Sequence, residues 1–205
     1  MRGKFITFEG VDGAGKSSHI EAVVAMLRER GLAVASTREP GGTTVGERLR
    51  ELLLDPACRI AGETEAMLMF AARREHLIEV IVPALEQGTW VVCDRFTDAT
   101  FASQGGGQGV DWSRLLDLER WVHAGVRPDL TLFFDLPLAE ARTRLAAAGR
   151  HDRFERQDGA FFERVRAGYL RRAAEDPRRI TVIDARGTRA NVEKTVKETV
   201  SIKCF

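Results

Sequence analysis

The sequence predicts an α/β fold in which five parallel strands form one sheet with helices on both of its faces. Apolar, β-prone segments alternate with helical segments along the chain, an order that is typical of parallel sheets. The first of them, residues 5–8, runs directly into a glycine-rich turn and a helical segment at 18–30. The chain has 205 residues, enough for one well-buried core, so we expect a single domain spanning 1–205.

The first half of the chain opens with a strand, a turn and a helix. Residues 5–8 are apolar, and 18–30 carries apolar side chains at helical spacing until Gly31 ends the run. A second strand is predicted at 32–37, and the Pro-Gly-Gly run after it breaks regular structure. Two helices follow, a short one at 45–54 and a long one at 63–87.

The second half continues the alternation. A buried strand at 89–93 stops at Asp94. Residues 96–109 combine four glycines with hydroxyl and amide side chains, and this composition predicts a binding loop. The apolar run 130–135 is typical of a central parallel strand. The remaining predicted elements are helices at 111–124, 138–147, 161–174 and 192–200 and a strand at 180–184.

A phosphate-binding motif lies between the first strand and the first helix. The pattern Gly, any four residues, Gly-Lys-Ser/Thr is matched by Gly10, Gly15, Lys16 and Ser17. Glycines allow the backbone N–H groups to approach a phosphate, and the N-terminus of the following helix completes the anion site. In this context the motif predicts a P-loop NTPase-type fold, with Lys16 on the β- and γ-phosphates and Ser17 on Mg²⁺. The residues expected to contact ATP are Gly10, Val11, Asp12, Gly13, Ala14, Gly15, Lys16, Ser17 and Ser18.

A second acidic anchor is needed to separate a motor, a GTPase and a small-molecule kinase. Asp94 ends a strand and is followed by Arg95, which places a carboxylate for the metal beside a guanidinium for phosphate. Asp135 also ends a strand, but helix capping is a sufficient account of it, and we favour Asp94. Arginines surround the motif, and no aspartate stands out as a general base. This pattern favours transfer between two phosphates over transfer to a hydroxyl.

Composition restricts the partners and the compartment. The net charge is +1, so we expect no general attraction to nucleic acid or to a membrane surface. Cys58, Cys93 and Cys204 show no pairing or metal-ligand pattern, as expected for reduced thiols in the cytoplasm. No apolar stretch predicts a signal peptide or a membrane span. Trp90 and Trp121 are expected in the core.

Seven segments together resemble the ordered motif set of bacterial thymidylate kinases. They are GVDGAGKS at 10–17, TREPGGT at 37–43, FAAR at 70–73, DRF at 94–96, QGGG at 104–107, RPDL at 127–130 and DRFE at 152–155. The resemblance implies transfer of the γ-phosphoryl group of ATP to dTMP with Mg²⁺, which forms dTDP and ADP for dTTP synthesis. It also implies a homodimer and a short mobile lid at about 148–157.

The resemblance assigns roles by position. Asp12 is implied at the 3′-hydroxyl of dTMP, and Arg38 and Arg95 at its phosphate. Phe70 is implied against the thymine ring, although an ordinary core phenylalanine would fit the same pattern. An arginine one turn later is implied at the base, where Arg73 is preferred over Arg74. The implied dTMP-binding residues are Asp12, Arg38, Glu39, Arg50, Phe70, Arg73, Arg95, Thr100 and Gln104, and the implied metal-side residues are Ser17, Glu39 and Asp94.

The catalytic residues implied by the resemblance include one arginine from the lid. Some family members carry this arginine in the P-loop, but that position is Gly13 here, which leaves Arg150 or Arg153. Lys16 and Arg95 complete the implied catalytic set. Two further positions depart from the family pattern, namely Ser103, where tyrosine is common, and Gln108, where arginine is common. The serine puts discrimination against ribonucleotides in doubt.

Three other functions remain to be weighed against this one. The nearest is another nucleoside monophosphate kinase of the same fold that accepts AMP or UMP. A GTP-dependent switch should carry a guanine-reading Asn-Lys-x-Asp run, which does not occur in the sequence. A catalytically dead homologue is disfavoured because Lys16, Ser17 and Arg95 are all present.

Overall fold

A computed structural model describes residues 2–147 and 159–205. Its sheet contains five parallel strands in the order β2-β3-β1-β4-β5, which confirms the predicted fold class. The strands are β1 (Phe5–Glu9), β2 (Val34–Arg38), β3 (Trp90–Asp94), β4 (Leu130–Asp135) and β5 (Ile180–Asp184). The α-helices are α1 (Lys16–Glu29), α2 (Thr44–Leu54), α3 (Gly62–His76), α4 (Val82–Glu86), α5 (Thr97–Thr100), α6 (Trp112–His123), α7 (Leu138–Ala147), α8 (Gly159–Glu175) and α9 (Arg189–Cys204).

The core lies on both sides of the central strand β1, in which all five residues are buried. Alternate side chains of a strand point to opposite faces. Ile6 and Phe8 pack with apolar side chains of α1 and α9, whereas Phe5 packs with those of α3 and α6. Helices therefore cover both faces of the sheet, as predicted. No helix in the described part of the chain has the length and apolar character needed to span a bilayer.

The predicted loop at 96–109 is wrong, because most of it is helical. Helix α5 continues into a π-helical segment, Phe101–Gly107, that packs along α8. The glycines permit this contact: a Cβ on Gly106 would lie 2.6 Å from the carbonyl oxygen of Arg164, and one on Gly107 would collide with the ring of Phe161. The glycine content that suggested a loop thus reflects close packing of two helices.

The predicted long helix at 63–87 is helical throughout but is not a single α-helix. Between α3 and α4 it contains a π-helical turn, Leu77–Ile81. Pro83, in the first turn of α4, has no N–H to donate and its ring crowds the preceding turn. This proline accounts for the wider hydrogen-bonding pattern just before it.

Candidate nucleotide-binding site

The phosphate-binding loop joins the buried strand β1 to α1, at the carboxyl edge of the sheet. Gly10 has a φ of 133°, and a Cβ there would lie 2.7 Å from the carbonyl oxygen of Phe134. Gly15 caps α1 with a left-handed φ of 86°, a conformation that favours glycine. The first turn of α1 therefore presents its N–H groups to the loop, as an anion site requires.

Lys16 begins α1 and folds back under the loop. Its side chain is 6% exposed, and its Nζ donates to the carbonyl oxygens of Gly10 at 2.9 Å and Val11 at 3.0 Å. Burial, with the nearby Arg95 guanidinium, lowers the pKa of Lys16 to about 8, although the Asp12 carboxylate opposes the shift. The loop thus holds a cation whose charge is sensitive to its surroundings.

Arg95 follows β3 and reaches across the loop. Its backbone adopts a positive φ of 68°, which is uncommon for a residue with a Cβ. Its Nη1 donates to Gly10 O at 2.9 Å, and its Nη2 donates to Asp12 Oδ1 at 2.6 Å. The guanidinium therefore lies between the phosphate-binding loop and the cavity described below, where it can contact a phosphate on either side.

Asp94 and Ser17 have the chemistry to hold Mg²⁺. Asp94 pairs in register with Phe8 of β1, and its Oδ1 is buried without a hydrogen-bond partner among the described residues. Ser17 is exposed in the first turn of α1. Mg²⁺ in kinases is bound by one or two protein oxygens together with substrate phosphates. In keeping with this, residues 2–147 and 159–205 contain no group of three His, Cys, Asp or Glu side chains placed to hold a metal without a substrate.

Glu9 is a site residue that the sequence reasoning missed. This last residue of β1 is fully buried; its Oε1 accepts from the N–H of Phe96 at 2.7 Å and its Oε2 from the hydroxyl of Tyr169 at 3.1 Å. Burial raises the pKa of Glu9 to about 8, and the carboxylate of Asp98 adds to the shift. A glutamate inside the apolar strand before the loop is the sequence signal that could have revealed it.

A cavity of about 280 Å³ adjoins the loop. Predicted site residues along its wall are Val11, Asp12, Glu39, Arg50, Arg73, Arg95, Thr100 and Gln104. Other residues along its wall are Pro40, Leu54, Glu65, Met69, Phe96, Ala99, Ser103, Gln108, Phe161, Phe162, Val165 and Tyr169. Cationic, amide and hydroxyl groups thus share the wall with aromatic and aliphatic side chains. This mixture suits a ligand with a flat base at one end and a phosphate at the other.

Arg73 is fixed at the base of this cavity. It is 2% exposed, and its Nε donates to Glu39 Oε2 at 2.7 Å. The other carboxylate oxygen of Glu39 contacts His76 Nδ1 at 2.9 Å, so protein groups occupy both oxygens. Arg73 Nη2 donates to Thr100 Oγ1 at 3.1 Å, while Nη1 is buried without a partner among the described residues. Glu39 therefore holds Arg73, and we do not assign it to the metal.

The structure separates the two candidate arginines of α3 and corrects the role of Phe70. Arg73 lines the cavity, whereas Arg74 Nη1 donates to the carbonyl oxygen of Val122 at 3.1 Å. Phe70 is 1% exposed and is not among the described residues that line the cavity. Met69 lines it instead, because positions 69 and 73 share one face of the helix while position 70 faces the core.

Two further predicted site residues, Arg50 and Arg38, are arginines that bond to protein groups. Arg50 Nη1 donates to the carbonyl oxygen of Pro40 at 2.9 Å and lines the cavity. Arg38 is half-exposed, donates to both carboxylate oxygens of Glu47 at 3.0 and 2.9 Å, and does not belong to the described lining. The predicted lid, with Arg150 and Arg153, lies outside the described residues.

The strand order, the glycine loop with its lysine and the adjoining cavity define an α/β protein of the P-loop NTPase type. The sequence model of the thymidylate kinase family matches residues 8–196. The chain belongs to the thymidylate kinase family.

Curated relatives and a solved structure agree with this assignment. The chain is 64% identical over 187 residues to a thymidylate kinase of Cupriavidus pinatubonensis, covering 90% of this chain and 91% of the relative. It is 59% identical over 201 residues to that of Cupriavidus metallidurans, covering 98% and 99%. The crystal structure of thymidylate kinase from Ehrlichia chaffeensis superposes with a TM-score of 0.79 at 34% identity, covering 98% of this chain and 99% of that one.

Proposed function

We propose that the chain transfers the γ-phosphoryl group of ATP to dTMP in the cavity, forming dTDP and ADP. The observation that carries this proposal is the position of Arg95, which contacts the phosphate-binding loop at Gly10 and also lines the cavity. A phosphate in the cavity and the γ-phosphate on the loop would share this cation. Its fixed charge offsets their mutual repulsion and aligns them for transfer.

The other groups around the loop are assigned to the phosphates, the metal ion and the sugar. Lys16 binds the β- and γ-phosphates, and a lid arginine, Arg150 or Arg153, stabilises the transferring group. Asp94 and Ser17 would hold Mg²⁺, which when bound would neutralise charge on the phosphates. Asp12, which lies under Arg95 at 2.6 Å, faces the sugar of the acceptor. An acceptor phosphate carries no proton that a general base must remove.

The cavity wall supports a pyrimidine with a carbonyl group as the acceptor base. Arg73 Nη1 and Gln104 Oε1 belong to buried side chains of the wall, and neither atom has a partner among the described residues. One is a donor and the other an acceptor. Thymine offers the complement, a carbonyl oxygen beside an N–H, and Met69 supplies apolar contact. Membership of the thymidylate kinase family does not favour the alternative acceptors AMP and UMP.

Substrate kinetics test the function. With ATP and Mg²⁺ held fixed, we expect the highest kcat/KM for dTMP, a smaller value for dUMP and little turnover of AMP. The loss on dUMP should be about tenfold, because a methyl group in an apolar contact contributes at least about 1 kcal/mol. The ratio of kcat/KM for dTMP to that for the ribose form of the same nucleotide measures the discrimination between sugars that remains with Ser103 in place of tyrosine. Equal rates with dTMP and AMP would contradict the assignment.

We further propose that two copies associate through α3 and α6 and that the enzyme works in the cytoplasm. The two helices pack together, and three large apolar side chains are exposed there: Met67 of α3 at 53%, Trp121 of α6 at 79%, and Ile78, in the π-helical turn that follows α3, at 49%. Trp121 was expected in the core, and its exposure corrects that prediction.

Cys58, Cys93 and Cys204 are all free thiols, which supports a reducing compartment.

A further inference from the structure

Glu65 occupies an unusual position on the cavity wall, because it receives two side-chain amides. It lies in the first turn of α3 and is partly buried. Its Oε1 accepts from Gln104 Nε2 at 3.1 Å, and its Oε2 accepts from Gln108 Nε2 at 2.8 Å. All three side chains line the cavity.

The carboxylate determines which end of the Gln104 amide faces the cavity. A glutamine side chain can turn over and exchange its oxygen for its NH₂ group with little change in shape. An ionised carboxylate only accepts hydrogen bonds, so Glu65 must face the NH₂ group of Gln104. Gln104 is 2% exposed, and its Oε1 is left buried without a partner among the residues described. Glu65 thus leaves the oxygen of this cavity-lining amide, and not its NH₂ group, without a partner among these residues.

Arg73 supplies a second group of the cavity wall with a definite role. Its Nε and Nη2 are held by Glu39 and Thr100, and its free Nη1 can only donate. Thymine and uracil present a carbonyl oxygen beside a ring N–H, which matches this donor and acceptor. Cytosine presents an amino group beside a bare ring nitrogen, which opposes both.

We propose that Glu65 is a positioning residue that locks the Gln104 amide with its oxygen towards the base, so that the site accepts thymine and uracil and rejects cytosine. This inference rests on the proposed function, in which the acceptor base lies against Gln104. Glu65 would then determine the discrimination against dCMP without contacting the nucleotide, because it acts through Gln104. A buried polar mismatch of this kind carries strong selectivity, because the site's own groups are left unpaired with the wrong base.

Glu65→Gln tests the inference. An amide at position 65 can accept or donate, so Gln104 becomes free to turn its NH₂ group towards the ring nitrogen of cytosine. We expect the ratio of kcat/KM for dTMP to that for dCMP to fall about tenfold or more. It should not fall to one, because Arg73 still opposes the amino group. The ratio for dTMP to dUMP should stay unchanged, because both bases present the same N–H and carbonyl; a general loosening of the cavity would change both ratios.

The matched control is Glu63→Gln, two residues earlier on α3. Glu63 is exposed and pairs with Arg114 at 3.3 Å, so this change removes the same charge from the same helix without touching Gln104. Both ratios should remain at the wild-type value. If Glu65→Gln does not fold, Glu65→Ala replaces it, since loss of the carboxylate also frees the Gln104 amide and predicts the same fall.

A double-mutant comparison shows whether Glu65 acts through Gln104. In a Gln104→Leu background, where no amide remains to be oriented, Glu65→Gln should not change the dTMP to dCMP ratio further. An unchanged ratio in Glu65→Gln itself would overturn the inference and leave the proposed function intact. A wild-type enzyme that turns over dCMP as well as dTMP would overturn both, and one that ignores dTMP would overturn the proposed function.

Discussion

Lys16 shows how much the chemistry at the residue scale depends on burial. The side chain is 6% exposed, and two loop carbonyl groups hold it in place. Its pKa is lowered from 10.5 to about 8, first by burial and then by the charge of Arg95. The lysine of the free protein therefore loses its proton in an accessible pH range, and the negative charge of a bound phosphate would raise its pKa again.

ATP affinity should accordingly depend on pH. Below pH 8 the free protein carries charged Lys16, and above it the neutral form dominates, since its pKa is about 8. We expect the association constant for MgATP, measured by calorimetry between pH 6.5 and 9.5, to fall by up to about tenfold for each pH unit above 8. Lys16→Arg is the control, because arginine stays charged throughout and its weaker binding should be flat with pH. Parallel curves for the two proteins would contradict this assignment.

The sequence predicts the residues that form a local pattern and misses those that depend on distant partners. Gly10, Gly15 and Lys16 form a local motif; both glycines have positive φ, and Lys16 Nζ donates to the carbonyl oxygen of Gly10. Glu9 pairs with Tyr169, 160 positions away, and no local spacing reveals such a contact. The sequence predicts Phe70 at the thymine ring, but the neighbouring Met69 lines the cavity. A helix turns by about 100° per residue, so an error of one position changes the face of the helix.

At the scale of the elements, a buried charge network ties α5 to α8 and to the approach to β5. Asp98 is 1% exposed, and its Oδ1 accepts from Arg172 Nε at 2.7 Å. Arg179 donates to both oxygens of Asp98, at 2.6 and 3.1 Å. Both arginines also make other contacts, Arg172 with Glu119 and Arg179 with Thr131. The network holds the helical segment whose side chains line the cavity.

Asp98→Ala should be strongly destabilising. Removal of the carboxylate takes away the partner that two buried guanidinium groups share and leaves them with the carboxylates of Glu119 and Asp176, which costs about 3–5 kcal/mol in the free energy of unfolding. Chemical denaturation of wild type and variant measures the difference. Asp184→Ala is the matched control, because the ion pair of Asp184 with Arg186 at 2.7 Å is exposed and its loss should change stability little. Similar losses for the two variants would show that the buried network does not carry this stability.

The alternating helices and strands were predictable because each has its own apolar period. The π-helical segment Phe101–Gly107 was not, since it arises from tertiary contacts. In Phe101–Gly107, Gly106 and Gly107 fit against α8, and the sequence alone cannot distinguish glycines that allow packing from glycines that form a loop. The turn Leu77–Ile81 depends on Pro83, which was visible in the sequence but had been absorbed into a long helical pattern.

At the scale of the whole molecule, the fold leaves an apolar surface on α3 and α6. Met67 of α3 and Ile78 of the π-helical turn that follows it lie about three turns apart, and Trp121 is exposed on α6. We expect the wild-type protein to sediment as a dimer and Trp121→Asp to shift it towards monomer at micromolar concentration, because a charge would be buried in the interface.

Ile202→Asp provides the control for that measurement. Ile202 is 80% exposed on α9, which packs against α1 on the other face of the sheet. The same change in charge there should leave the dimer unaffected. A monomeric wild type, or equal dissociation by both variants, would refute the proposed interface.

The proposed reaction brings two anionic nucleotides to one edge of the sheet, although the net charge of the chain is only +1. The necessary positive charge is local, in Lys16, Arg95 and the predicted lid. Family membership and fold class followed from the sequence because motifs and alternation are linear features. The arrangement of donors and acceptors around the base is spatial, and it needed the structure.

A crystal structure with a bisubstrate analogue, in which thymidine and adenosine are joined through a phosphate chain, would show where the two nucleotides bind. We predict that the phosphates lie on the loop at Gly10–Lys16 and that the thymine lies in the cavity between Met69, Arg73 and Gln104, with Arg95 on the phosphate nearest to the thymidine. A complex in which the thymidine end occupies any other surface, with the cavity left to solvent, would contradict the account.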